Sequence, residues 1–528
     1  MEVFIGLLPV LLIATSAILL VLPLVLRSRD HEIYVKYVAL LGSILAVFMS
    51  LAVLLHVTSR GVTVYFLGGF RPPLGIAYTV DTLSALMGFL VSVMLFSTVL
   101  YSTWFIVSKW SYLYYSLLFL MTAGSIGCFY TGDIFNLFVS LELLALSSYG
   151  LVAFYRDNPR AIRAALRYAI AGTVATSLYF FSVLLLYSAF GTLNMADIAL
   201  KARNPQAETL FSYTVAGDIV FTSKIALSIV VWVFFFKSAI LPIGFTWQPH
   251  AYAESPIPVA AGFTAIADTV GVYLYMRFFN TIFGRGVIEA LSGFRQALLG
   301  FTQVSALISA LTASLLMITE RDIKKFIAYS TISQLSLALL GASLDNHYGV
   351  AAAVLLLVSN VLSDAVLFYI AGIAVIGCGR SIVCLSTFRA HRHVLVSLLI
   401  AVLNLFGVIP VLVGFWGKAL LVLASVEISI AISVAVLVVS GMTAIGYFRL
   451  VHVALAESAH SRGDSRLRNT LVPVLLVLAL TAITVILGVG FILHTQFREF
   501  ILNIGVELIE NYEKYIESTL GVVDLVSG

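Results

Sequence analysis

Long apolar runs alternate with short polar segments along almost the whole chain. A helix that crosses a bilayer needs roughly 20 predominantly apolar residues, and runs of that order recur from one end of the sequence to the other. The pattern predicts about fourteen membrane-spanning helices. They cover residues 3–26, 35–57, 79–107, 113–130, 134–154, 163–189, 218–247, 256–282, 297–318, 325–342, 347–377, 395–426, 428–454 and 470–494.

Three segments depart from this pattern. A Gly/Pro-rich loop is predicted at 58–78 and a polar loop at 190–217. After the last span, REFILNIGVELIENYEKYIES places apolar residues at helical spacing between acidic ones. That spacing predicts an amphipathic helix at the surface. Its acidic face is interpreted as solvated surface, with a lateral contact to another subunit as the alternative.

Composition points to the same class of protein. The 528 residues are 61% hydrophobic and 11% charged, and the mean hydropathy is +1.06. A soluble domain carries about twice that share of charge. A membrane barrel would show alternating segments of about 10 residues, and the sequence has none. We therefore predict an all-α polytopic membrane protein, and the small formal charge of +4 gives no reason to expect a nucleic-acid partner.

The basic residues predict the orientation. Loops after odd-numbered spans carry most of the Lys and Arg residues, with Arg277 counted in the loop after the eighth span. Positive loops favour the cytoplasmic side, so both termini are predicted outside. Met1–Leu26 lacks a basic segment before its apolar run and is interpreted as a first membrane helix rather than a cleaved signal.

Charged side chains inside the predicted spans are the candidate functional residues. They are Glu142, Lys237, Asp268, Asp364 and Lys418. A charge at the bilayer centre costs at least ~2.5–3.5 kcal/mol, so such side chains are expected to face the bundle interior or a water path. Polar side chains near them are Ser330, Thr331, Ser333, Gln334 and Asn360.

Two roles are open for these charges. Static ion pairs could hold the helices together, or a chain of titratable groups could pass ions through the protein. The pKa of a buried lysine responds both to burial and to neighbouring carboxylates, so its charge can change with theirs. Because the five charges lie on five different spans, we favour a relay.

Two prolines predict interrupted helices. Pro242 follows Lys237 by five residues, and Pro410 precedes Lys418 by eight. Proline removes a backbone donor, and non-helical backbone at membrane depth survives only beside a cavity or inside protein. Spans 7 and 12 are therefore predicted to be broken helices of two inverted repeats. The alternative is that each proline merely kinks a packed helix. The predicted divisions are 1–112, 113–282, 297–454 and 455–528.

Four motifs, in order, carry a family resemblance. They are VDTLSAL at Asp81, FKSAILPIGFTWQPHAYAESPIPV around Lys237, DIKKFIAYSTISQ at 322–334 and GVIPVLVGFWGK at 407–418. Over roughly residues 75–450 the chain resembles the antiporter-like subunits of respiratory complex I, membrane-bound hydrogenases and Mrp-type sodium/proton antiporters. The resemblance implies ion transfer along a polar axis at the membrane midplane. It assigns the fifth-helix acid to Glu142, paired with Lys237, and the twelfth-helix lysine to Lys418.

The middle of the chain departs from that family. Thr269 stands where the eighth helix of the family has a lysine, with Asp268 just before it, and the family's D-A-H reads H-A-Y at 250–252. Asn360 and Asp364 replace the basic residues of the eleventh helix. These acids could carry protons, bind sodium through oxygen ligands, or mark a channel that no longer conducts.

The resemblance implies a proton- or sodium-translocating subunit of a larger complex in a prokaryotic plasma membrane, which couples redox energy to cation transport. Alternatives are a subunit of a stand-alone Mrp-type antiporter and a non-conducting structural subunit. GxxxxGK[ST] is absent, so nothing suggests an ATP-driven pump. The three cysteines form no metal-ligand set, and no active site of its own is expected. No cofactor or metal is expected in this subunit. Partner subunits with iron–sulfur or hydrogenase centres are expected to carry the oxidoreductase activity, of NADH:quinone or hydrogenase type.

Overall fold

Twenty α-helices and one antiparallel β-hairpin make up the protein in this computed structural model, which describes residues 2–26, 31–72, 74–207, 218–456 and 471–521. The helices are α1 (Val3–Val25), α2 (His31–Arg60), α3 (Thr82–Phe105), α4 (Ser111–Tyr130), α5 (Ile134–Val152), α6 (Pro159–Phe190), α7 (Met195–Arg203), α8 (Ile219–Lys237), α9 (Gly244–Glu254), α10 (Ile257–Ile266), α11 (Asp268–Met276), α12 (Glu289–Thr319), α13 (Ile323–Ser343), α14 (His347–Gly377), α15 (Arg392–Phe406), α16 (Val413–Ile428), α17 (Ile430–Leu455), α18 (Leu471–Leu493), α19 (Thr495–Ile509) and α20 (Tyr512–Leu520). The strands are β1 (Thr63–Phe66) and β2 (Ala77–Val80), and shorter helical pieces are Leu67–Gly69, Arg277–Ile282 and Ile382–Ala390.

Thirteen helical segments within the described ranges are long and apolar enough to cross a membrane. One of them, Ile257–Ile282, joins α10 and α11 to the π-helical turn that follows. In the region predicted as the twelfth span, two shorter helices, α15 and α16, flank residues 407–412. The predicted all-α polytopic fold is confirmed.

Burial separates an inner group of helices from an outer one. The apolar windows of Ile257–Ile282 and His347–Gly377 are 100% buried, whereas that of Glu32–Arg60 is 33% buried. Helices that are apolar all round and fully buried form the centre of a membrane bundle, while outer helices leave one face to lipid. Polar groups on α10, α11, α13 and α14 are therefore shielded from both lipid and water.

The two segments predicted as loops, 58–78 and 190–217, contain regular secondary structure. The hairpin occupies part of 58–78, and α7 occupies part of 190–217, where the Asn194 side chain accepts hydrogen bonds from two backbone N–H groups at the helix start. The loop prediction for those parts was wrong because capping and long-range pairing stabilise short elements that lack a strong apolar period. Predictions at 208–217 and 457–470 lie outside the described residues.

The C-terminal segment forms two helices instead of one, and each buries its apolar face against the same chain. Ile504 of α19 and Tyr515 of α20 are buried. Thr519 Oγ1 of α20 donates to Thr79 Oγ1 of β2 over 3.2 Å, and α1 also contacts β1. The apolar spacing therefore marks an intramolecular contact, and the described parts near both ends of the chain lie at one end of the bundle.

A disulfide joins Cys378 to Cys384 and ties the end of α14 to the helical turn Ile382–Ala390. In the sequence the three cysteines form neither a CxxC pair nor a metal-ligand set, and no disulfide was predicted. The third cysteine, Cys128, is buried in α4.

A buried ion pair locks α3 to the π-helical turn. Arg277 Nη2 lies 2.7 Å from Asp81 Oδ2, and both residues are almost completely buried. Asp81 also caps α3, because its Oδ1 accepts from Ser84 N over 2.9 Å. Arg277 was wrongly counted as a loop cation: it lies within the eighth span, and the carboxylate that neutralises it comes from a distant segment.

Replacing Arg277 by methionine should destabilise the protein by about 3–5 kcal/mol, because Asp81 would remain buried without its counter-charge. SDS-induced unfolding of the purified protein measures this change. Arg71→Met is the control, since Arg71 is exposed beside the hairpin. Equal unfolding free energies for the two variants would show that the buried pair does not hold the fold.

Candidate functional site

The first helix interruption follows Lys237, which is the last residue of α8. Ala239 has a left-handed backbone with φ 57°, the Leu241–Pro242 bond is cis, and α9 starts at Gly244. Leu241 N donates to Ser309 Oγ of α12 over 3.3 Å. A neighbouring helix thus satisfies one of the backbone groups that the break releases, as membrane depth requires.

Gly271 of α11 packs directly against this interruption. A Cβ atom at Gly271 would lie 2.6 Å from Ser238 N and 2.8 Å from the carbonyl carbon of Lys237. Only glycine permits this approach, so α11 fixes the position of the break. The glycine belongs to the TVGVY stretch in which Thr269 replaces a lysine of the resembled family.

Lys237 is buried, with 3% of its surface exposed. The carboxylates of Glu142 and Asp268 lie within electrostatic range of its ammonium group. No salt bridge joins it to Glu142 among the described residues, and Glu142 is half-buried in α5. The pairing implied by the resemblance is therefore an interaction at a distance in this structure, without direct contact.

Asp268 begins α11 and is completely buried. Its Oδ2 accepts hydrogen bonds from Gln248 Nε2 over 2.6 Å and from the Tyr252 hydroxyl. Its Oδ1 has no hydrogen-bond partner within the described ranges. Gln248 and Tyr252 both lie on α9, so this carboxylate joins the second half of the broken helix to α11.

Asp364 lies at the centre of α14 and is also completely buried. Thr331 Oγ1 of α13 donates to its Oδ2 over 2.6 Å. The Asn360 side chain lies beside this carboxylate, but neither its amide group nor Asp364 Oδ1 makes a hydrogen bond of good geometry within the part of the chain that the structure describes. Asp268 and Tyr447 both lie within electrostatic range of Asp364.

The Tyr447 hydroxyl of α17 forms hydrogen bonds with two polar side chains of α13. Ser330 Oγ lies 2.6 Å from its hydroxyl, and Gln334 Nε2 donates to the same oxygen over 3.2 Å. Gln334 Nε2 also donates to Leu405 O at the end of α15 over 3.1 Å. Ser333 points elsewhere, since its Oγ lies 3.1 Å from Ser314 Oγ of α12.

Lys418 is buried in α16, and its Nζ donates to Phe406 O over 3.0 Å. That carbonyl is the last of α15, where the partial negative charge of the helix end favours a cation. Gly407 follows with φ 70°, and a Cβ atom there would lie 2.8 Å from Lys418 Cδ. The second interruption thus supplies the oxygen that binds the lysine.

Residues 407–412 form this second interruption, and Pro410 lies within it. Asn404 links the two helices that flank this interruption, because its Oδ1 accepts a hydrogen bond from Gly414 N over 2.8 Å. Its Nδ2 also donates to Ser363 Oγ of α14 over 2.7 Å. Asn404, Gln248 and Tyr447 were not predicted, because their partners come from other helices.

These contacts define a polar axis across the bundle. It runs from Lys237 through Asp268 and Asp364 to the Tyr447–Gln334 pair and ends at Lys418. Gln334 donates to Tyr447 and to Leu405 O, which neighbours the Phe406 carbonyl that binds Lys418, whereas Lys237, Asp268 and Asp364 make no hydrogen bond or salt bridge to one another within the described residues. Clusters of three or more His, Cys, Asp or Glu residues that could hold a metal do not occur in the described ranges.

Comparison with known proteins identifies the fold. Residues 131–444 match the family model described as NADH:quinone oxidoreductase/Mrp antiporter, TM. The chain belongs to this family. The predicted resemblance to this family is therefore confirmed. The relatives are subunits of multisubunit membrane complexes.

Two relatives represent both branches of the antiporter family. NADH-quinone oxidoreductase subunit N of Desulforudis audaxviator is 31% identical over 457 residues, which is 83% of this chain and 85% of the relative. The D subunit of the Na(+)/H(+) antiporter of Alkalihalophilus pseudofirmus is 27% identical over 484 residues, which is 88% of this chain and 90% of the relative.

A solved structure extends the similarity to nearly the full chain. A chain of the membrane-bound sulfane sulfur reductase, an archaeal respiratory membrane complex, superimposes with a TM-score of 0.86 at 25% identity and covers 98% of this chain and 100% of that chain. The protein is thus a multi-pass membrane subunit of the kind found in bacterial and archaeal complexes.

Gly271→Ala should destabilise the protein by about 1–3 kcal/mol, because the added methyl group overpacks the contact with Ser238 N. The matched control is Gly300→Ala in α12, where a Cβ atom meets nothing within 4 Å. That control should be neutral or stabilising, since alanine is the better helix former. SDS unfolding of both variants gives the comparison, and equal behaviour would contradict the close approach described here.

Proposed function

We propose that this antiporter-family subunit moves protons or sodium ions across a prokaryotic plasma membrane and couples that movement to redox chemistry in partner subunits. The observation that supports this proposal is the polar axis between the two helix interruptions. Buried charges are costly inside a membrane protein, and those that persist there mark ion pathways. The names of the relatives, a quinone oxidoreductase subunit and an antiporter subunit, support the same function.

In this proposal Lys237 is the gating group. It has no salt-bridge partner among the described residues, yet the carboxylates of Glu142 and Asp268 lie within electrostatic range, so its charge can respond to theirs. Glu142 would supply the carboxylate whose charge state biases Lys237. Asp268 would pass the change to Asp364, and Lys418 would receive it at the second interruption.

Each aspartate at the centre of the axis has one oxygen held and one oxygen free. At Asp268 and at Asp364, Oδ2 accepts hydrogen bonds while Oδ1 has no partner within the described ranges. A free carboxylate oxygen can take up a proton or contribute a hard oxygen ligand to sodium. We propose that these two acids replace the central lysines of the resembled family as carriers.

Two alternatives remain testable. The chain could be a subunit of a stand-alone Mrp-type antiporter, an interpretation favoured by its similarity to a component of an Na(+)/H(+) antiporter. It could also be a structural subunit that conducts nothing, which the loss of the central lysines favours. The persistence of Glu142, Lys237 and Lys418 argues against that last interpretation.

We further propose two inverted repeats at 113–282 and 297–454, and an orientation with both termini outside. Each repeat would contain one interrupted helix beside a buried lysine. The orientation is supported by the excess of Lys and Arg in loops after odd-numbered spans. A cysteine-accessibility assay on intact cells tests the orientation directly.

Lys237→Ala should lower coupled ion transport by about 10² or more, because the group that exchanges charge with Asp268 is removed. Transport by the complete complex is measured in proteoliposomes with a pH-sensitive dye and radioactive sodium. Lys224→Ala on the same helix is the control, since Lys224 lies beside Phe294 away from the axis. Unchanged transport in an assembled Lys237→Ala complex would refute the relay.

Asp268→Asn should also lower transport, because asparagine keeps the size and the polar contacts of the side chain but cannot carry a proton or balance a cation. Asp218→Asn is the control, since it caps α8 at an exposed position and asparagine is an equally good cap. Loss of sodium uptake with retained proton uptake would identify Asp268 as a sodium ligand. Wild-type transport of both ions would remove it from the pathway.

Gentle purification of the native complex, followed by mass spectrometry of its subunits and a metal assay, separates the two transport alternatives. Iron–sulfur or nickel subunits are the expected result for the redox-driven complex. Small membrane subunits without such metals would instead make this chain part of a stand-alone antiporter.

A further inference from the structure

A groove on the outside of the bundle runs along the first helix interruption. Its apolar part has a volume of about 610 Å³ and lies between α6, α8 and α9. The walls include Ile170, Val174, Leu178, Trp232, Phe236 and Ile243. The α6 residues are strongly exposed, Ile170 at 67% and Val174 at 57%, although α6 is a candidate membrane span. This part of the groove therefore faces the hydrocarbon of the membrane.

One end of the groove opens into a charged cleft of about 500 Å³. Five cationic side chains line the cleft: Arg160, Arg163, Arg167, Lys325 and Arg380. The two carboxylates of the cleft, Glu254 and Asp322, both pair with Arg380, over 3.1 Å and 2.7 Å. The other four cations have no salt bridge to any carboxylate within the described residues, so the cleft has a strong excess of positive charge.

Arg167 and His250 belong to both parts, which makes them one continuous site with a cationic head and an apolar tail. We propose that this site binds one anionic phospholipid. Its phosphate would contact Arg163 and Arg167 in the cleft, and an acyl chain would lie along Val174 and Trp232. Guanidinium groups bind phosphate oxygens through paired, charge-assisted hydrogen bonds.

Charge complementarity favours a lipid over other occupants. An apolar transmembrane helix from a neighbouring subunit would fill the groove but bring no negative charge to the cleft, where five cations face two carboxylates. A neutral redox lipid such as a quinone would do the same. An anionic phospholipid satisfies both parts at once, because clustered Arg and Lys residues at the membrane surface attract anionic headgroups.

Such a lipid would contact both halves of the broken helix. Phe236 precedes the interruption and Ile243 ends it, and both line the groove. Lys237 follows directly after Phe236, and Gln248, which binds Asp268, lies one turn beyond Ile243. Occupancy of the groove would therefore restrain α8 and α9 relative to each other, at the point where the polar axis begins.

Native mass spectrometry of the purified complex, titrated with phosphatidylglycerol and with phosphatidylcholine, tests the proposal. We expect phosphatidylglycerol to bind at least about tenfold more tightly. The double variant Arg163→Gln/Arg167→Gln should lose that preference. The control Arg321→Gln/Arg392→Gln removes the same charge from exposed positions outside the cleft and should keep it.

A second variant tests the apolar part of the site without changing its charge. Ala171→Trp fills the apolar part of the groove and should weaken the binding of both lipids, whereas Leu184→Trp, on the same helix but outside the groove, should not. Equal binding of the two lipids, or equal phosphatidylglycerol binding by the cleft and control double variants, would overturn the proposal. A photoreactive residue at position 174 that crosslinks to a protein subunit, and not to lipid, would assign the groove to that subunit instead.

Discussion

The architecture depends on the need to satisfy every backbone polar group inside a membrane. Two helices are interrupted at depth, and each interruption would be prohibitively unfavourable without partners. Leu241 N donates a hydrogen bond to Ser309 Oγ at the first break, and Gly414 N donates one to Asn404 Oδ1 at the second. The remaining helices are arranged so that these partners, and the lysine beside each break, are enclosed by protein.

Two kinds of buried charge coexist in this protein, and their surroundings differ. Arg277 and Arg295 form close ion pairs with Asp81 and Asp345 at the hairpin end of the bundle. Those pairs are the static contacts that hold elements together. Along the polar axis, Lys237 and its acidic neighbours make no such pairs within the described residues. The protonation of such a group depends on its burial and on the charges around it.

Acidic residues stand at the centre of the axis, where the resembled family has basic ones. Asp268 and Asp364 are held by neutral donors, Tyr252 and Thr331, which fix the position of each carboxylate without neutralising it. Lys418 is held by a carbonyl oxygen in the same manner. Asp268, Asp364 and Lys418 are thus held by neutral hydrogen-bond partners instead of salt bridges within the described residues.

The sequence by itself determined the membrane class, the approximate spans, the interrupted regions and the intramembrane charges, because hydrocarbon imposes a strong and local penalty on polar residues. It could not reveal that Arg277 pairs with Asp81, that Tyr447 and Asn404 complete the axis, or that Cys378 bonds to Cys384. Those facts join residues that are distant in the chain or carry no charge. Only tertiary packing decides such partners, since a hydrogen bond inside a bundle is specified by the helix that lies opposite and not by the neighbours in sequence.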